Sequence, residues 1–137
     1  MNNTRFFIIA LLVLMTVGCS DSKVQLSGKV TFSDDGTPLE AGTICFTTET
    51  YAARGVLAQD GTYTASSVNP KDGLPPGKYR VYISGAHRVI ERGPGEMPLY
   101  IPLIDTKYED SETSGLELEV SAKTKTFDIQ VDRYVGQ

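Results

Sequence analysis

The sequence predicts an all-β protein, folded after residue 18 as a seven-stranded antiparallel β-sandwich. Three observations carry this. Apolar residues recur at every second position in short segments, turn-forming Gly, Pro and Asp residues divide those segments, and no helical periodicity follows residue 18. Such alternation turns one face of each strand to a core and the other to water, the usual arrangement in antiparallel sheets.

The chain begins differently. Residues 1–18 carry one charge, Arg5, then an unbroken apolar run from Phe6 to Met15, then Thr16-Val17-Gly18 before Cys19. This order of basic residue, apolar run and small-residue site is that of a secretory signal peptide. The apolar run, about 10 residues, is short of the roughly 20 that cross a bilayer as a helix. Cleavage before Cys19 and acylation of that cysteine are expected, as in a bacterial lipoprotein precursor. Residues 19–23 then form the lipidated cysteine and a short polar tether, and residues 24–135 the folded domain. Ser20 and Asp21 do not match an Asp-at-second-position retention signal, which favours the outer membrane over the inner.

The strands follow in order. Val24, Leu26, Val30 and Phe32 recur at even spacing, and Asp34-Asp35-Gly36-Thr37-Pro38 supplies a turn. A second strand runs through Ile44 and Phe46. Segments Arg54 to Ala58 and Thr62 to Ser66 are divided by Gln59-Asp60-Gly61, a hairpin signal. Asn69 to Gly77, with three prolines and two glycines, reads as a loop. Alternation returns from Tyr79 to Ser84. Ala86 to Ser114 lacks periodicity, contains Pro94, Pro98 and Pro102, and reads as one long connection. Leu116, Leu118 and Val120, then Phe127, Ile129 and Val131, complete the seven.

Composition excludes several functions. Removing residues 1–18 leaves 119 residues, enough for one domain with its own core, and loss of Arg5 takes the net charge from -4 to -5. An acidic chain without a Lys or Arg run lacks the footprint of a nucleic-acid binder. With Cys19 acylated, Cys45 has no partner within the chain, so no disulfide is expected and Cys45 reads as a buried strand residue.

The segments SGKVTFSDDGTPLEAGTICF (Ser27–Phe46), AQDGTYTASS (Ala58–Ser67), DGLPPGKYRVYIS (Asp72–Ser84), KYEDSETSGLELEV (Lys107–Val120) and TFDIQV (Thr126–Val131) resemble, in this order, small bacterial lipoproteins with a carboxypeptidase-regulatory-like, transthyretin-like domain. The resemblance spans nearly all of the chain after Cys19. It implies a prealbumin-like sandwich on a membrane-tethered, extracytoplasmic product, and it brings no catalytic site. Thr16 stands where such lipoproteins usually have Leu, and IPLIDTKY (Ile101–Tyr108) is longer than the Ile-Pro-x-x-Tyr form of the family.

Catalytic and metal chemistry find little support. The single histidine, His87, has no Gly-x-Ser-x-Gly motif to serve, and one histidine with one free cysteine falls short of a zinc ligand set. Two acidic groups, Asp34-Asp35 and Asp105, Glu109, Asp110 and Glu112, lack helix-loop-helix calcium spacing. No cofactor or metal is expected. The leading reading is a non-catalytic binding or structural module at the cell envelope. Its partners are the membrane, through the anchor, and an envelope protein or polysaccharide. The contact residues expected on the long connection are Arg88, Arg92, Tyr100 and Tyr108, since tyrosine and arginine commonly anchor interfaces. Two alternatives stand beside it: an envelope enzyme acting on polysaccharide or peptide through loop carboxylates, and a calcium-stabilised adhesin-type domain.

Overall fold

The computed structural model describes residues 22–67, 69 and 72–136. The expected signal peptide and Cys19 lie outside the described residues. Within them the chain is all-β, with nine strands and one short 3-10 helix, Thr106–Glu109. The strands are β1 (Leu26–Phe32), β2 (Thr43–Thr47), β3 (Ala52–Val56), β4 (Thr62–Ala65), β5 (Gly77–Ser84), β6 (His87–Ile90), β7 (Leu99–Pro102), β8 (Leu116–Val120) and β9 (Ile129–Val131).

Two sheets face each other in a sandwich-like arrangement. One has the order β4-β1-β9 and the other β3-β2-β5-β8, while β6 and β7 form a separate two-stranded ribbon. The two sheets meet along one side, where Arg54 and Ser66 exchange backbone hydrogen bonds of 2.9 and 3.0 Å between β3 and the end of β4. Alternation places Leu26, Val30 and Phe32 of β1 and Tyr63 and Ala65 of β4 against Ile44 and Phe46 of β2 and Tyr79, Val81 and Ile83 of β5. Phe46 lies at the centre, 6.0 Å from the Tyr63 ring and 6.5 Å from Phe127. Leu39, Leu74, Ile104 and Tyr108, all from connections, close the ends of this core.

The architecture departs from the sequence expectation in three respects. Nine strands are present where seven were expected, because the stretch from Ala86 to Ser114 contains β6, β7 and the 3-10 helix. The sandwich is not purely antiparallel, since β9 pairs in parallel with β1, Val30 opposite Ile129 and Phe32 opposite Val131. Cys45 is a free thiol but only partly buried, because its position in β2 points it away from the core, between Arg54 and Tyr82 on the neighbouring strands. Desolvation nonetheless pushes that thiol's pKa up.

One geometric consequence matters for function. Val24, just ahead of β1, bridges to Leu74 with hydrogen bonds of 2.8 and 2.9 Å. At the other end of β1, about 26 Å from Val24 at a strand's rise of roughly 3.3 Å per residue, Phe32 lies under the Arg133 guanidinium, 3.7 Å from the ring centroid. The ribbon is rooted at this second end.

Candidate functional site

The β6–β7 ribbon is built from local chemistry. Gly93-Pro94-Gly95-Glu96 forms its tip, with the Glu96 N–H donating to the Gly93 carbonyl at 3.0 Å. Pro94 supplies the fixed φ and Gly95 the positive one (84°), as a type II turn requires. Below the tip, Ile90 faces Leu99, Val89 faces Tyr100, Arg88 faces Ile101 and His87 faces Pro102. The base is fastened to the sandwich: Leu103 N–H donates to Ala86 O at 2.9 Å, and Ile104 bridges to Arg133 on the C-terminal segment.

Pairing places His87, Val89, Tyr100 and Pro102 on one face and Arg88, Ile90, Leu99 and Ile101 on the other. Each face therefore carries three apolar or aromatic residues in four. The T-shaped contact of His87 with Tyr100, 4.8 Å between ring centroids at 82°, agrees with this assignment. Towards the tip neither face is covered: Val89, Ile90, Met97, Leu99 and Tyr100 are 41–84% exposed. They make up five of the eight large exposed hydrophobic residues among those described. Arg88 and Arg92 stand among them, with no ion pair among the described residues, and Glu91 and Glu96 supply equal opposite charge.

Of the four contact residues expected from sequence, the structure brings Arg88, Arg92 and Tyr100 together on this ribbon. Tyr108 is elsewhere. It lies in the 3-10 helix, 7% exposed and part of the core, with its hydroxyl donating to Asp132 at 3.1 Å. Tyr108 is thus a packing residue, and its removal from the contact set corrects the sequence reading. Val89, Ile90, Met97 and Leu99 were missed. The signal for them was present, since Val89-Ile90 and Leu99-Tyr100-Ile101 flank a Gly-Pro-Gly turn.

A groove of about 470 Å³ runs from the ribbon's root onto the sandwich, lined in part by His87, Arg88, Leu39, Leu103 and Arg133. Its electrostatics are largely spent internally. Arg133 donates to Asp34 through Nε and to Asp35 through Nη2, both at 2.8 Å, and to Thr37 Oγ1 at 2.7 Å. Hydrogen bonds from Thr37, and after them from Arg133, hold the Asp35 carboxyl down at about 2. Asp132 is likewise held at about 2 by Lys107 Nζ at 2.7 Å, then by Ser33 and Tyr108.

Four of the six acidic residues weighed from sequence are engaged within the fold. Asp34 and Asp35 bind Arg133, Asp105 accepts from the Lys107 N–H at 3.0 Å, and Asp110 accepts from the Glu112 N–H at 2.7 Å. Among the described residues no three His, Cys, Asp or Glu side chains gather as a metal site, and no helix is long and apolar enough to cross a membrane.

No known family's profile matches the sequence, and neither does any curated protein. Three solved structures are similar to the chain. A DUF3823 family protein from Bacteroides ovatus shares 21% identity, with 82% of this chain and 45% of that one covered and a TM-score of 0.44. The major pilin subunit of Bacillus cereus shares 12%, covering 82% and 30%, with a TM-score of 0.49. A 9R-lipoxygenase from Cyanothece shares 18%, covering 80% and 16%, with a TM-score of 0.36. This chain spans less than half the length of each.

Proposed function

We propose that this protein is a lipid-anchored, extracytoplasmic lipoprotein whose β-sandwich is a non-catalytic, transthyretin-like binding module of the cell envelope, making its contacts through the β6–β7 ribbon. The observation that carries the reading is a ribbon with two apolar faces, uncovered towards its tip, rooted at the end of β1 opposite Val24. The anchor gives that placement meaning. With Cys19 in the membrane, residues 20–23 reach at most about 14 Å at roughly 3.5 Å per residue. The Val24–Leu74 end then stands on the lipid and the ribbon is held away from it, facing the envelope.

Support for the anchor is the Arg5, Phe6–Met15 and Thr16-Val17-Gly18 pattern ahead of Cys19. The several acyl chains that lipoprotein processing adds hold stably, at about 0.8 kcal/mol per buried CH₂. Two experiments on the full chain test the reading. Cys19→Ser should abolish detergent-phase partitioning, and a processed mutant that still partitions would contradict anchoring. Turnover of peptidoglycan or envelope polysaccharide, lost on changing Glu109 or Asp110, would replace the binding module with an enzyme.

A further inference from the structure

The two faces of the ribbon are the feature to explain. A strand with one wet face alternates apolar and polar residues, whereas one apolar on both sides reads as a strand covered on both sides. At the root the sandwich supplies part of that cover, since His87, Ile101 and Pro102 are half-buried. Towards the tip nothing does, and a two-stranded ribbon alone is only marginally stable in water. Its charges restrict what could cover it. Arg88 and Arg92 against Glu91 and Glu96 make the ribbon electrically neutral on a chain of net charge -4. A strongly acidic or basic partner gains nothing from such a surface. A second ribbon of the same sequence does, because it brings two arginines and two glutamates that complement those of the first while the apolar faces meet.

We infer that the ribbon's occupant is the ribbon of a second copy, so that this chain self-associates through Val89, Ile90, Met97, Leu99 and Tyr100 with the four charges as a self-complementary rim. This rests on the ribbon being the binding surface. Two copies anchored in one leaflet would present their ribbons at the same height above it, a geometry that favours the encounter.

The test uses two differently tagged full-length copies co-expressed and extracted in mild detergent, with capture of one read by recovery of the other. Wild-type copies should be recovered together. An all-acidic ribbon (R88E/R92E) should lose self-capture by about tenfold or more, as should an all-basic one (E91K/E96K), because like charges then face each other across the contact. Co-expression of the acidic with the basic variant should restore capture, whichever arginine meets which glutamate. No co-capture of wild-type copies would overturn the inference, as would charge variants that associate like wild type. Capture of an envelope polymer or protein by a chain that stays monomeric would overturn self-association alone and leave the ribbon as a binding surface.

Discussion

The phenol of Tyr63 lies over Gly28 on the neighbouring strand, in the space a side chain at Gly28 would take, and its hydroxyl donates to the Phe127 carbonyl at 2.6 Å. Gly55 clears the other flank, since a Cβ there would press on the Tyr63 ring. Two glycines in two strands thus make room for one tyrosine, which reaches across β1 to tie the segment leading into β9 to β4.

Gly28→Ala should therefore be among the more damaging single changes. A methyl group would overlap the Phe127 carbonyl, and the parallel β1–β9 pairing must shift to admit it. Overpacking of this kind costs about 1–3 kcal/mol. Urea unfolding should show the loss, and Tyr63→Phe, which keeps the ring and removes the hydrogen bond, should cost less, about 1 kcal/mol.

The two tyrosines of the long connection should separate cleanly. Tyr108→Ala removes a buried ring and is expected to destabilise by about 3 kcal/mol or more. Tyr100→Ala sits on the exposed ribbon and, at dilutions where copies stay apart, should stay within about 0.5 kcal/mol of wild type. Thermal melts of both variants measure this. A large loss at Tyr100 would mean that the ribbon is part of the folded core.

Acid should loosen the C-terminal segment over a defined window. Asp35 and Asp132 have pKa values lowered from 3.8 to about 2, so the stability they contribute is complete above about pH 4 and is lost as pH falls towards 2. Both carboxyls are about half exposed, so 1 M salt should shrink the effect. Melting temperature measured from pH 5 to pH 2 should fall through this window, with a shallower slope in Asp132→Asn.

Cys45 should be a slow nucleophile despite lying on an outer face. Burial raises its pKa, which lowers the thiolate fraction at neutral pH. Alkylation by iodoacetamide at pH 8 should run slower in the folded chain than in urea. Equal rates would show that the thiol is not desolvated.

Most strand positions and inward faces were legible in the sequence, because alternation is a local signal that records which side of a strand is buried. Leu26, Val30 and Phe32, and Tyr79, Val81 and Ile83, face the core as their spacing requires. The ribbon escaped notice for the same reason. With apolar residues on both faces, β6 and β7 carry no period of two, and only the symmetry about Gly93-Pro94-Gly95 hints at a hairpin.

What the sequence by itself determined is the all-β character, the turns and the inward side of most strands, since these follow from backbone restrictions and residue hydrophobicity within a few positions. Tertiary structure alone decided that β9 runs parallel to β1, that Tyr108 packs inside while Tyr100 faces water, and that Asp34 and Asp35 answer to Arg133 almost a hundred residues away. Each of these depends on which distant segment comes to lie alongside. Periodicity tells a strand which side to bury, and only the closed fold tells it against what.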